Sequence, residues 1–318
     1  MFTTLKSLFL DVWRVYLTLL KVMVPALIIV KILDMIGGTQ WLAKLLAPLM
    51  SQVGLPEEMG LVWATAMLTN IYTGMAVYFD LAGDSPLTVA QVSVLGIMML
   101  LAHALPVEGA VAKLSGVSWR VTLPLRIGGG FILGMIANQV YQLGNWQQQP
   151  AVIVWQPTPA SSSLFDWTMA QLSMLFSIFF IIAALMILLR LLKWCGIEKL
   201  MQTLLSPFLK ALTIGKETTN VCVIGLVLGL SFGAGLLIDE ARTGRISKRD
   251  IFLAVCFLGL THSIIEDTIL ILLLGADLIA ILWGRLLFSF VVIAILARCI
   301  KQDSHAIHQS EQPPKALS

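Results

Sequence analysis

Eight stretches of this chain are apolar over about twenty residues: 16–36, 59–79, 89–114, 121–141, 169–192, 219–238, 251–274 and 278–297. A helix of that length spans the hydrocarbon core of a bilayer, about 30 Å at 1.5 Å per residue. The composition agrees. The 318 residues are 58% hydrophobic and 12% charged, against about 25% charged in soluble domains. A soluble fold could not hide so much apolar surface, because more than half of any folded surface still faces water. The predicted fold class is all-α, a polytopic membrane protein in contact with the lipid bilayer. A net charge of +3, spread along the chain, gives no footprint for nucleic acid.

Two shorter segments interrupt the pattern, TQWLAKLLAPLMSQVG after the first stretch and EKLMQTLLSPFLKALTIG after the fifth. Each has a proline within it, which predicts a broken ladder and an interfacial or re-entrant helix. The N-terminal residues 1–15 are amphipathic, with no small-residue cleavage site after them, and read as a surface helix or the entry to the first span. Residues 144–167, rich in Gln, Pro and Ser with no basic residue, read as a non-cytoplasmic linker between units at 16–143 and 168–300. Residues 301–318 read as a disordered cytoplasmic tail. The four cysteines are scattered, with no C-x-x-C, and read as buried free thiols.

The second unit is similar to the first at a fixed offset of 159 residues. Pro48 aligns with Pro207, Glu58 with Glu217, Gly74 with Gly233 and Asp80 with Asp239. His103 aligns with His262, Glu108 with Asp267, Gly116 with Gly275 and Arg126 with Arg285. An internal duplication is expected, against chance agreement of two apolar regions. Loop charges predict that the copies are inverted, since ARTGRISKRD carries four basic residues and its counterpart LAGDSPLTVA none. Inversion needs an odd number of crossings per copy, so one segment of each must be re-entrant.

The informative polar residues lie in HALPVEG and HSIIEDT. In each, a His is followed five residues later by a carboxylate, Glu108 or Asp267, with Glu266 beside the latter. Ionisable groups in hydrocarbon cost at least ~2.5 kcal/mol on insertion scales and usually face a cavity or one another. Pro106 predicts a helix break near residues 103–106, with backbone N–H groups freed at the restart as an anion site. The second copy lacks the proline, so its break is less firmly predicted. Asn70, Tyr72, Thr73, Ser231 and Gly235 lie in small-residue clusters read as unwound segments lining a cavity; Gly225 and Gly229 read as close helix contacts. The competing structural reading is that each His crosslinks helices and each acid balances a neighbour. Lys31, Arg126, Arg190 and Arg285 are placed near span ends, their side chains reaching the interface. Asp80 and Asp239 end spans, and Glu57, Glu58 and Glu217 begin them.

No phosphate-binding loop is present: TIGKETT lacks the first glycine of that motif. With no nucleophile at a telling spacing, no enzyme activity, cofactor or resident metal is expected.

The repeat, the broken spans and the HALPVEG/HSIIEDT pair resemble the nucleoside-recognition, or Gate, membrane proteins. These include spore maturation proteins A and B and the gates of ferrous-iron transporter B and concentrative nucleoside transporters. The resemblance covers residues 33–131 and 192–290. It implies two gate-like repeats in the inner membrane and recognition of a nucleoside-like solute. The chain departs from the iron transporter in lacking a GTPase domain and a cysteine in either motif. The function expected is secondary transport of a small polar solute, anionic or nucleoside-like, coupled to H⁺ or Na⁺. The binding residues would be His103, Glu108, His262, Glu266 and Asp267, flanked by Asn70, Thr73, Ser231 and Gly233. Two alternatives stand beside it: a non-transporting subunit or solute sensor of a membrane assembly, and divalent-metal permeation. A homo-oligomer is compatible with all three.

Overall fold

The computed structural model describes residues 2–81, 87–154, 163–211, 216–228 and 246–300. Among these there is no β-strand, and six helices are long and apolar enough to cross a membrane. In chain order the elements are α1 (Phe2–Met35), α2 (Gly38–Gln52), α3 (Met59–Leu68) and α4 (Ile71–Leu81). Next come α5 (Val89–Leu101), α6 (Leu105–Leu114) and α7 (Trp119–Gly144). Then follow α8 (Leu164–Trp194), α9 (Ile197–Ala211), α10 (Lys216–Leu228), α11 (Lys248–Thr261), α12 (Glu266–Leu272) and α13 (Ile279–Cys299). The crossing segments are α1, α5–α6, α7, α8, α11–α12 and α13.

Burial sorts these segments. The α5–α6 and α11–α12 segments are 67% and 72% buried, whereas α1, α8 and α13 are 17%, 28% and 22% buried. The outer helices show bare apolar faces, with Ile29, Ile32, Phe176, Phe180, Leu287 and Val291 all exposed. Such faces are stable only against lipid. The two central segments are the ones that carry the histidines, and both are interrupted.

Local chemistry sets where the central segments begin. Thr88 and Gln91 form a reciprocal capping box at the start of α5, and Ser247 accepts from the Asp250 backbone N–H at the start of α11. The pairs Thr88/Ser247 and Gln91/Asp250 stand 159 residues apart, a match that the sequence comparison had passed over.

Residues 59–79 do not form one crossing helix. The chain breaks at Thr69 and Asn70, and α4 folds back along α3: a Cβ built on Gly74 would lie 2.8 Å from the Cβ of Ala66. In a continuous helix residues eight apart are about 12 Å from one another, so this pair is a hairpin of two short helices. Asn70 begins α4 as a cap, its Oδ1 accepting from the Thr73 backbone N–H at 2.9 Å and hydroxyl at 3.1 Å. Of the stretch at 219–238, the described part is helical to Leu228.

Pro48 and Pro207 do not break their helices. Both lie inside continuous helices of 15 residues, α2 and α9. Each ring removes one hydrogen bond, and the turn around it holds. The N-terminal residues are continuous with the first crossing helix, not a separate surface element. Cys222 and Cys256 are buried free thiols as expected, but Cys195 and Cys299 are exposed.

The outer helices α1 and α8 run antiparallel. Asp11 pairs with Arg190 at 2.7 Å, Tyr16 donates to the Leu175 carbonyl at 3.2 Å, and Lys31 lies over the Trp167 ring. Phe9, Trp13, Tyr16 and Phe179 fill the seam with edge-on and tilted rings.

The hairpin gives a stability test. Valine at Gly74 would press on Ala66 and on the Met99 methyl, each 2.8 Å from its Cβ, whereas a Cβ at Gly128 meets nothing within 4 Å. Gly74→Val should lower stability by about 1–3 kcal/mol, and Gly128→Ala should leave it level or slightly raised. Thermal unfolding of the two variants in detergent checks this; equal midpoints would mean that the hairpin is not closely packed.

Candidate functional site

The site is built at two helix ends. Where α5 stops at Leu101 and α11 at Thr261, the last carbonyls lose their helical partners, and no water is available in hydrocarbon to replace them. Side chains supply donors there, in the same way in both places, although the Leu258 carbonyl also accepts from the His262 backbone N–H. His103 Nδ1 lies 2.9 Å from the Met99 carbonyl, and His262 Nδ1 lies 2.7 Å from the Leu258 carbonyl. Arg126 Nε donates to the Leu101 carbonyl at 2.8 Å, and Arg285 Nε to the Leu260 carbonyl at 2.7 Å. Arg285 Nη2 also reaches the His262 carbonyl at 3.0 Å.

The backbone between the helix halves turns through left-handed residues, Ala104 at φ 46° and Ser263 at φ 49°. Non-glycine residues hold such values only when the surroundings enforce them. Here the freed N–H groups are tied to the neighbouring element, Ala104 to the Ala66 carbonyl and Ile264 to the Leu226 carbonyl, both at 3.0 Å. The second break therefore forms without a proline. The positive ends of α6 and α12 meet the chain's own carboxylates, Glu108 in one first turn and Glu266 and Asp267 in the other.

Arg126 and Arg285 are not at span ends reaching for the interface, as the sequence suggested. They are 1% and 0% exposed and sit at the two breaks. Each lies in or directly after a π-helical turn, Pro124–Gly128 and Ile279–Gly284. Such turns are common at functional sites. Their alignment at the repeat offset was the signal, read as structural because charge was judged by position along a stretch.

The two breaks meet. His103 Nε2 and His262 Nε2 are 3.1 Å apart, and both residues are buried. Glu108 Oε1 lies 3.3 Å from His103 Nε2 and 3.0 Å from His262 Nε2. The other Glu108 oxygen accepts from Arg126 Nη1. Asp267 Oδ2 lies 3.6 Å from His103 Nε2 and is buried without a hydrogen-bond partner. Glu266 stands at the edge, accepting from the Tyr72 hydroxyl on α4 at 3.0 Å.

A carbonyl oxygen can only accept, so Nδ1 of each histidine donates, and each Nε2 is turned towards the junction. Two imidazole nitrogens, Glu108 Oε1 and Asp267 Oδ2 are thus gathered at the junction. Such a cage calls for a proton or a cation.

Of the expected site residues, the structure brings His103, Glu108, His262 and Asp267 into one cluster, with Glu266 joined to it through Tyr72. Asn70 and Thr73 cap α4 beneath Tyr72 and have no contact with the histidines. Ser231 and Gly233 lie outside the described residues, as do Gly229 and Asp239. Gly225 is a close contact, since a Cβ there would lie 2.7 Å from Leu258. Arg126 and Arg285 are the residues of the junction that the sequence reading did not assign to it, and Tyr72 was expected only as part of a cavity-lining segment. Asp80 ends α4 and accepts from Trp167 Nε1 at 3.2 Å.

Six apolar helices around a buried, charged junction of two interrupted segments make this a multi-pass membrane protein of the gate type, with lipid against its outer faces. Residues 16–117 match the family model Gate, described as nucleoside recognition. The chain is also 30% identical to the uncharacterized membrane protein YvoD of Bacillus subtilis (strain 168), across 89% of each chain. The chain belongs to the Gate family. No solved structure matches it.

The two arginines should differ when removed. Arg126→Met strips Glu108 of its hydrogen-bonded cation and leaves the Leu101 carbonyl bare, a loss of about 3–5 kcal/mol for a broken buried pair. Arg285→Met frees the Leu260 and His262 carbonyls and removes a cation near Asp267 that makes no hydrogen bond to it, about 1–3 kcal/mol. Glu108→Gln should recover part of the Arg126→Met loss and none of the Arg285→Met loss. A double-mutant cycle read by unfolding midpoint decides it, and equal single losses with no recovery would remove the Glu108–Arg126 pair from the account.

Proposed function

We propose that this protein is a secondary transporter of the cytoplasmic membrane, built from two inverted copies of one gate-like unit, moving a small polar solute through the junction of the broken segments. The observation that carries the reading is the meeting of two interrupted, buried helices at His103 and His262. Interrupted helices meeting at mid-membrane are how many transporters form a site. Membership of a family named for nucleoside recognition accords with a transporter-related role.

The inverted arrangement has three supports. Residues 159 apart touch each other, His103 with His262 and Tyr16 with Leu175, as they must beside a two-fold axis. The helices at corresponding places, α1 and α8, are antiparallel, which an axis in the membrane plane produces and an axis along its normal does not. Among the described residues each half also contributes three crossing segments, the odd number that inversion requires.

The solute class is nucleoside-like or a small anion. Arg126 Nη2, Arg285 Nη1 and the Thr268 hydroxyl are buried without hydrogen-bond partners and supply donors to either. The cavity beside Glu108 and Arg126 is about 10 Å³, room for one water. A solute therefore enters only when the two halves part, and the described arrangement is a closed one. The coupling ion on this reading is H⁺ rather than Na⁺, because two of the four atoms gathered at the junction are imidazole nitrogens. The reading includes no catalytic step.

Uptake of labelled nucleosides and small carboxylates into proteoliposomes under a pH gradient tests this. His103→Gln and His262→Gln should each reduce uptake at least tenfold. Wild-type uptake by both variants would take the histidines out of the path. A solute that shifts the unfolding midpoint yet is not taken up would favour a sensor or non-transporting subunit instead.

A further inference from the structure

The cage at the junction has a geometry that a proton alone does not use. A proton is shared along one line between two atoms. Here the Nε2 atoms of His103 and His262 stand 3.1 Å apart, Asp267 Oδ2 lies 3.6 Å from His103 Nε2, and Glu108 Oε1 lies 3.3 Å and 3.0 Å from the two Nε2 atoms. The edge of a tetrahedron around a metal with bonds of about 2.0–2.1 Å is about 3.3–3.4 Å. His103, His262 and Asp267 offer ligand atoms that all lie within 4.8 Å of one another.

Two independent features point the same way. Each imidazole is held by an Nδ1–H bond to a backbone carbonyl, Met99 or Leu258, so that Nε2 points into the cage. That is the support a metal-binding histidine almost always has, fixing both tautomer and ring orientation. Asp267 is 8% exposed, and its Oδ2 has no hydrogen-bond donor. A buried carboxylate oxygen left in that condition is costly. At the matching place in the first half, Glu108 is one methylene longer and spends its second oxygen on Arg126.

We infer that His103 Nε2, His262 Nε2 and Asp267 form a binding site for a divalent transition-metal cation, with Glu108 beside it. Mixed imidazole and carboxylate donors select zinc, iron or nickel-class ions over calcium and magnesium, which take oxygen ligands. Asp267 supplies the carboxylate to the metal, while Glu108 is shared with Arg126. The metal would sit between the halves, ligated by both, and would hold them together. The inference concerns the same cluster as the transport proposal, but it does not require transport.

The test uses the full chain, purified in detergent, stripped with chelator and titrated with Co²⁺. Cobalt in a tetrahedral nitrogen–oxygen site gives strong visible absorption, so the expected result is a band that saturates at one Co²⁺ per chain and is displaced by Zn²⁺. Asp267→Asn and the double variant His103→Gln/His262→Gln should lose the band or weaken Co²⁺ binding at least tenfold. Their elution volume and metal-free unfolding midpoint show whether they still fold. Absence of both the band and any Co²⁺ or Zn²⁺ shift in the wild-type midpoint overturns the inference, whatever the variants do. So does a band that survives in folded variants. Metal binding without solute uptake overturns only the transport proposal, and uptake without metal binding overturns only this one.

Discussion

The rest of the structure depends on how a helix that stops inside a bilayer satisfies its last carbonyls. In water those groups would be hydrated, but hydrocarbon offers nothing. In this chain a guanidinium from the next crossing helix and an imidazole from the break itself bond those carbonyls. That solution has consequences. It places two arginines where charge is expensive, and Glu108 offsets one of them. It commits Nδ1 of each histidine, which leaves Nε2 to face inward. The same bonds that make the break tolerable therefore define the chemistry of the junction.

Much of this was legible in the sequence. The apolar stretches fixed an all-helical membrane class, and the offset of 159 residues picked out His103 and His262 before any geometry was known. Pro106 marked the first break. The second break was hard to read because nothing local in HSIIEDT demands it. Ser263 takes a left-handed conformation only because Arg285 and the Leu226 carbonyl hold the strand of chain around it. The arginines were misplaced for a related reason. Position along an apolar stretch says how far a residue is from a helix end, but not that the neighbouring helix has a break at that depth. Residues 59–79 read as one span because their composition is uniform, and the hairpin turns on a single cap at Asn70.

Pro48 and Pro207 show the opposite error. A proline breaks a helix where the lost hydrogen bond and the ring clash cannot be absorbed. Both helices absorb them and continue for four residues beyond the ring. The structural reading of the histidines, that they crosslink helices, holds in part, since each does bond a carbonyl of its own helix. What it left out was the second nitrogen.

The bond from Tyr72 to Glu266 bears on the symmetry of any motion. It joins the folded-back pair in the first half to the broken segment of the second. The positions 159 residues away hold Ser231 and Val107, a short hydroxyl and an aliphatic chain. No equal latch can be made from those two side chains. Separation that pulls Tyr72 from Glu266 therefore breaks a phenol–carboxylate bond, and the opposite separation does not. On the transport reading proposed above, the two openings therefore start unequal in energy, before any solute or gradient acts.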